Sequence, residues 1–117
     1  MPWRLTVRSG PRVSRTRFDT LDEALAELRA RASELSEGAP RQPVDAKIRR
    51  FDPVQLVVAR FELSGPQRLS PSVQAGVDVR GDGSIEAFMG RLRRRVVEQR
   101  GSQDAYTALR RAITEKL

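Results

Sequence analysis

The chain has 117 residues, a formal net charge of +7 and a pI of about 11.3, and it contains neither cysteine nor histidine. Without cysteine it has no disulfide, thiolate nucleophile or zinc finger, and without histidine it lacks the commonest general base near neutral pH and the commonest transition-metal ligand. We therefore expect a single non-enzymatic domain over residues 1–117, without metal or cofactor. No apolar stretch approaches the roughly 18 residues of a membrane span, so we also expect a cytoplasmic protein without a membrane partner.

The chain begins with a predicted hairpin that carries arginine on one face. Apolar residues alternate with basic or polar ones from Trp3 to Arg8, which is typical of a half-buried strand. Ser9 to Arg12 contains a glycine and a proline and predicts a turn, and Val13 to Phe18 follows as the second strand. Two roles fit the basic side chains of this hairpin, binding phosphate groups and keeping an exposed sheet edge from pairing with other chains. These side chains are Arg4, Arg8, Arg15 and Arg17.

An amphipathic helix is predicted next. Thr20 to Glu23 forms a capping box, in which the threonine hydroxyl accepts from the amide of Glu23, and Gly38 is placed to end the helix. Six acidic residues stand against two arginines between residues 18 and 37, so we do not expect this helix to contact nucleic acid. Its apolar stripe is expected to pack on the sheet and comprises Leu21, Leu25, Leu28, Ala32 and Leu35.

The middle of the chain is predicted to return to the sheet. Gly38 to Asp45 is a loop, and both Ala46 to Phe51 and Val54 to Leu63 are strand-like. The run Val54 to Ala59 is mostly apolar on both sides, which makes it the candidate for a central strand. Ser64 to Pro71 is a connection rich in turn residues.

A second hairpin has the clearest local geometry in the sequence. Valine and alanine alternate with other residues from Val73 to Val79, and Gly81 to Gly83 predicts a tight turn with Gly83 in the left-handed conformation. This turn fixes the register of the two strands. The predicted pairs are Val79 with Ile85, Val77 with Ala87 and Ala75 with Met89.

Three carboxylates surround this turn, Asp78, Asp82 and Glu86. Such groups are potential magnesium ligands, but the spacing of a calcium loop is absent and the turn itself accounts for Asp82. We therefore predict no metal site at this position.

A dense block of positive charge follows Gly90. After a strand that ends near Gly90, we favour a helix or an irregular extension, although a strand that continues through Arg95 is the alternative. The block is either a phosphate-binding surface or a solvated charged face, and it consists of Arg91, Arg93, Arg94 and Arg95.

The chain ends in a second predicted helix, with Ser102 as its cap. Its apolar stripe comprises Tyr106, Leu109, Ile113 and Leu117. The predicted fold is therefore α+β, an antiparallel sheet in the order β-β-α-β-β-β-α with two amphipathic helices packed on one face.

From residue 20 onward, the predicted order of helix, three strands and helix is similar to that of double-stranded-RNA-binding domains and of some ribosome-associated factors. The resemblance covers element order only. That family typically opens its last helix with a lysine-rich cluster, whereas Gly101 to Asp104 contains an acidic residue and no lysine.

Two functions fit this charge distribution. The first is a protein that binds the phosphate backbone of nucleic acid, with RNA favoured over a sequence-specific DNA site. The arginine block after Gly90 is expected to make the main phosphate contacts, assisted by the hairpin arginines. The second is a protein–protein interaction or homo-oligomeric assembly module, because the acidic stretch 18–37 contrasts with residues 91–117, where eight basic residues stand against three acidic ones. GC-rich coding is a further explanation for the preference of arginine over lysine, but not for the net excess of positive charge.

Overall fold

The computed structural model describes residues 3–38, 57–66, 73–90, 95–97 and 104–117. The predicted α+β class with an antiparallel sheet and two helices is confirmed, but the predicted order lacks one strand, because the described residues between the helices form four strands and not three. The predicted strand from Ala46 to Phe51 lies outside the described residues. The elements within the described ranges are β1 (Trp3–Ser9), β2 (Arg12–Phe18), α1 (Leu21–Gly38), β3 (Val57–Gly65), β4 (Val73–Arg80), β5 (Ile85–Met89), β6 (Arg95–Val96) and α2 (Ala105–Lys116).

These strands form one sheet in the order β2-β1-β3-β4-β5-β6, and every neighbouring pair is antiparallel. The hairpin that precedes α1 joins the later strands through the pairing of β1 with β3. β3 pairs with β1 on one side and with β4 on the other, and it extends to Gly65, two residues beyond the predicted end at Leu63. The candidate central run Val54 to Ala59 is described only from Val57 onward, where its pairs are with β4 and where Val57 and Val58 are 42% and 40% exposed, so the prediction of a central position is wrong for these two valines. Within the described residues, the order of helix, four strands and helix also departs from that of double-stranded-RNA-binding domains.

The second hairpin has the predicted register. Val79 pairs with Ile85, Val77 with Ala87 and Ala75 with Met89. Gly83 has a φ of 89°, which is the left-handed conformation that the turn requires. Its amide donates to the carbonyl of Arg80 at 2.9 Å, and the amide of Arg80 donates to the carbonyl of Ser84 at 2.9 Å. The local sequence therefore determines this hairpin.

Both helices begin at side-chain caps. The amide of Glu23 donates to Thr20 Oγ1 at 3.2 Å, and the Thr20 hydroxyl donates to the Glu23 carboxylate at 2.9 Å, so the predicted start of α1 is confirmed. The prediction of Ser102 as the cap of α2 is wrong: the N-cap is Asp104, which accepts from the amide of Thr107 at 2.8 Å. Aspartate caps helices as well as serine does, and the hydrogen bond from Thr107 lowers the pKa of Asp104.

The apolar residues of one sheet face and of the two helices form one buried cluster. Cross-strand partners share a face, as do Val7 and Phe61, and Phe61 and Val77. The outer ends of the two helical stripes are exposed, with Leu35 at 39% and Leu117 at 63% of their full exposure. The largest fully buried side chains are Phe61, Leu5, Leu28, Leu63, Leu109, Ile113, Val73, Val77 and Val79.

Among the described residues, neither helix is long and apolar enough to cross a membrane.

Candidate functional site

The sheet has a second face, opposite the buried cluster, which we call the open face. Because side chains alternate along a strand, the residues between the buried ones point to this side. Six of its charged residues are arginines and three are carboxylates. They are Arg4, Arg8, Arg15, Arg17, Arg60, Glu62, Asp78, Arg80 and Glu86.

Three of these arginines form an exposed group on β1 and β2, which we call the arginine patch: Arg4, Arg15 and Arg17. Arg4 lies directly opposite Arg17 in the register, and Arg15 lies opposite Thr6. No carboxylate of the described residues lies within ion-pair distance of any of the three. Like charges directly opposite each other destabilise a sheet, so this arrangement has an energetic cost that an anion would relieve.

Arg8 lies at the border of the arginine patch. Its Nε donates to Glu62 Oε1 at 2.8 Å, and the Arg8 side chain keeps half of its exposure. Glu62 belongs to β3, the next strand of the sheet. The carboxylate therefore separates the arginine patch from the charges farther along the open face.

Beyond Glu62, each arginine of the open face is paired with a carboxylate. Arg60 binds Asp78 in a bidentate manner, with Nε to Oδ1 at 2.6 Å and Nη2 to Oδ2 at 3.0 Å, and this hydrogen-bonded contact raises the pKa of Arg60. Arg80 Nη2 donates to Glu86 Oε1 at 2.6 Å. Asp78 is only 6% exposed, although it lies on the sheet face that the two helices do not cover. We call Arg60, Asp78, Arg80 and Glu86 the paired patch.

Phe88 is the aromatic side chain on the open face among the described residues, and it is buried at 5% exposure. It lies opposite Gly76 in the register, and the Arg60 guanidinium lies 5.7 Å from its ring centroid. A Cβ on Gly76 would lie 2.9 Å from Phe88 Cζ and 1.9 Å from the carbonyl oxygen of Phe61. The ring therefore occupies the space that the glycine leaves, under the paired patch.

The structure separates the two arginine clusters that the sequence predicts. Arg95 is exposed on β6 and lies opposite Met89, whose side chain packs against the buried cluster, so Arg95 points to the helix side of the sheet. β6 is also the last strand of the order, at the far end from β2. The strand from Ile85 ends at Met89, close to the predicted end at Gly90, and Arg95 and Val96 form a separate strand that pairs antiparallel with it. For these two residues both the predicted helix and the alternative of a strand continuing through Arg95 are therefore wrong. Arg91, Arg93 and Arg94 lie outside the described residues.

The ion pairs of Arg60 with Asp78 and of Arg80 with Glu86 were not predicted from the sequence. The alternation of Arg60 and Glu62 with Phe61 and Leu63 predicts which side of the strand they occupy. It does not predict the partner strand, and the partner strand supplies the carboxylate of Asp78.

The three carboxylates considered as metal ligands have other partners. Asp78 binds Arg60, Glu86 binds Arg80, and Asp82 Oδ1 accepts from the amide and the hydroxyl of Ser84 at 2.9 and 2.6 Å. Among the described residues, no three aspartate, glutamate, histidine or cysteine side chains are arranged to hold a metal ion.

The acidic helix α1 lies on the other side of the sheet from the arginine patch and contacts α2 through polar groups. Arg110 Nη1 donates to Asp22 Oδ1 at 2.6 Å, and the Ser33 hydroxyl donates to Tyr106 Oη at 3.1 Å. Burial raises the pKa of Tyr106, and the Arg29 guanidinium lies 5.3 Å from its ring. These contacts join the two helices to each other.

Comparison with known proteins supplies no relative: no family model, no curated protein and no solved structure matches the chain significantly.

Proposed function

We propose that the protein binds nucleic acid without catalysing a reaction, and that the arginine patch contacts the phosphate backbone, assisted by Arg8. The observation that carries the proposal is the presence of three exposed arginines on two adjacent strands, on one face, with no carboxylate of the described residues beside them. RNA is favoured over a sequence-specific DNA site. Arg91, Arg93, Arg94 and Arg95 stay predicted contacts, with Arg95 on a different side of the sheet.

Guanidinium groups suit this role because they bind phosphate oxygens in a bidentate manner and remain charged at any physiological pH. Neutralising phosphates releases condensed counterions, so the affinity falls steeply with salt and depends little on base sequence. A cytoplasmic location stays part of the proposal.

The competing explanation is protection of a sheet edge. It accounts for Arg15 and Arg17, because β2 is the last strand on its side of the described sheet. It does not account for Arg4, which lies on β1 between two other strands and directly opposite Arg17. An arginine on an interior strand protects no edge, whereas Arg4 opposite Arg17 doubles the charge that a phosphate meets. This difference favours binding.

The test is fluorescence anisotropy of labelled RNA and DNA against the purified protein at about 50 and 200 mM salt, a range in which several phosphate contacts cost orders of magnitude in affinity. We expect salt-sensitive binding at micromolar or tighter affinity. Arg17→Gln should weaken it and reduce the salt slope by about one. No binding at the lower salt concentration would refute the proposal.

Arg12→Gln is the matched control for Arg17→Gln. Arg12 is exposed on the same strand, and the change in net charge is the same, but Arg12 lies opposite Ser9 and therefore points to the helix side of the sheet. If both variants lose affinity equally, the effect is one of net charge and not of the arginine patch.

The alternative function is assembly through charge. The observation that favours it is that α1, which carries exposed acids such as Glu34 and Glu37, lies on the opposite side of the sheet from the arginine patch. Two copies stacked head to tail would bring these surfaces together, and such contacts build a ring or an open filament according to the rotation between copies. Sedimentation at low and high salt tests it: particles larger than a monomer that dissociate in salt support assembly, and a monomer in both conditions contradicts it.

A further inference from the structure

We infer that the ligand of the arginine patch is the double-stranded form of a nucleic acid and not a single strand. The inference rests on the proposed function and adds the form of the polymer. It follows from two features of the open face, the position of its aromatic ring and the spacing of its arginines.

The described part of the open face offers no exposed aromatic ring on which a base can stack. Phe88, which lies on this face, is 5% exposed and is covered by contacts with Gly76 and Arg60. The other aromatic side chains of the described residues lie on the helix side: Trp3 and Phe61 are buried, and Phe18 and Tyr106 are half-buried against the apolar cluster. Stacking typically strengthens single-strand binding by about 5- to 150-fold per base, and this face lacks that contribution.

The arginines of the patch are close together. Arg4 and Arg17 are direct cross-strand partners, and Arg15 is two residues from Arg17 along β2. At about 3.3 Å per residue, the three side chains start within about 7 Å along the strands. A duplex carries one phosphate charge per about 1.7 Å of axis, against about 3.4 Å for one of its strands, so each phosphate contact releases about 0.9 counterions from a duplex and about 0.7 from a single strand. Three clustered cations therefore gain more affinity from a duplex than from a single strand at low salt.

The patch is also regular and accessible. The seven pairs of β1 with β2 show no register shift, and every residue from Arg12 to Arg17 is exposed. An exposed pair of strands without a bulge presents its arginines to a duplex at fixed spacing. The absence of an exposed ring and the high local charge thus favour the same polymer form.

The experiment compares a hairpin duplex with a single strand of the same length and base composition, in RNA and in DNA, at about 50 and 200 mM salt. We expect at least tenfold tighter binding of the duplex at the lower salt concentration. Replacing Arg4, Arg15 and Arg17 together by glutamine should reduce the magnitude of the duplex salt slope by about three, since each phosphate contact contributes about 0.9.

The outcomes separate the two proposals. Equal or tighter binding of the single strand overturns the duplex inference and leaves the proposed function intact. No binding of either polymer at the lower salt concentration overturns both. Tighter duplex binding that survives the triple replacement, with folding checked by circular dichroism, removes the arginine patch as the site.

A second variant tests stacking directly. Phe88→Leu keeps an apolar side chain at the buried position, and we expect the ratio of duplex to single-strand affinity to change by less than twofold. If Phe88 becomes accessible and stacks on bases, single-strand affinity should fall at least fivefold in the variant while duplex affinity is unchanged, and that result would contradict the inference.

Discussion

The two halves of the open face use the same residue type in opposite ways. In the paired patch, Arg60 and Arg80 each bind a carboxylate, and Arg60 lies over a buried ring. In the arginine patch, Arg4 and Arg17 face each other with no carboxylate of the described residues beside them. The paired patch has no net charge, so the excess of positive charge on this face comes from the strands at one end of the sheet. A count of charges in the sequence does not show this difference, because strand order determines it.

The physical consequences also differ. Removing one member of a buried ion pair leaves an uncompensated charge and costs several kcal/mol. Removing an exposed charge without a partner changes stability by less than about 0.5 kcal/mol. We therefore expect substitutions in the paired patch to act on stability and substitutions in the arginine patch to act on binding.

The largest effect is expected for Asp78→Ala. The change leaves Arg60 without its bidentate partner at a position where Asp78 is 6% exposed. Because Arg60 keeps about a quarter of its exposure, we expect a loss of about 3 kcal/mol in the free energy of unfolding, at the lower end for buried pairs. Chemical denaturation followed by circular dichroism measures it.

The matched control for Asp78→Ala is the double replacement of Arg60 and Asp78 by leucine. Apolar residues in place of a buried ion pair are often neutral or stabilising, so the double variant should recover most of the loss. A double variant that is less stable than Asp78→Ala would show that the ion pair itself stabilises the fold. The stability loss in Asp78→Ala would then not come from an unpaired charge.

Gly76→Ala tests the packing beneath the paired patch. The new Cβ would meet the carbonyl oxygen of Phe61 at 1.9 Å and Phe88 Cζ at 2.9 Å, so the neighbouring strand has to move. Overpacking of this kind costs about 1–3 kcal/mol. Gly10→Ala is a useful comparison, because a Cβ on Gly10 meets nothing within 4 Å and any cost there comes only from its φ of 59°. Equal destabilisation by both variants would contradict the packing argument.

Glu62→Gln should extend the arginine patch. Glu62 binds Arg8 at 2.8 Å, and removing its charge frees Arg8 for phosphate and removes a repulsive group from the border. We expect several-fold tighter binding at low salt and a salt slope larger in magnitude by about one. Anisotropy titrations against the wild-type protein measure both, with Glu34→Gln on α1 as the control for net charge. Unchanged affinity would place the binding surface elsewhere.

The smallest effect is expected for Arg4→Gln on stability. The change relieves the repulsion between Arg4 and Arg17, so the free energy of unfolding should rise, by no more than about 0.5 kcal/mol for an exposed pair. The same variant should bind nucleic acid more weakly. If Arg4→Gln loses stability and keeps full affinity, the arginine patch acts on stability and not on binding, which contradicts the expected difference between the two patches.

Local sequence determined those parts of the protein whose chemistry lies within a few residues. The cap at Thr20, the turn at Gly83 and the register of Val77 with Ala87 were all predicted correctly, because a helix start and a short hairpin depend on neighbouring residues. The alternation from Trp3 to Arg8 also predicted which residues of β1 are buried. The class of the fold followed from these elements, whereas the number of strands did not, since two residues of β6 leave no periodic pattern to detect.

Only the tertiary structure decided which charges remain available. The pairing of β3 with β4 brings Asp78 to Arg60 across 18 residues, and the pairing of β1 with β3 brings Glu62 to Arg8 across 54. The pairing of β6 with β5 turns Arg95 away from the hairpin arginines with which the sequence had grouped it. Strand order sets these neighbours through contacts between distant parts of the chain. A guanidinium group is a ligand for phosphate or a partner for a carboxylate according to what the next strand places beside it.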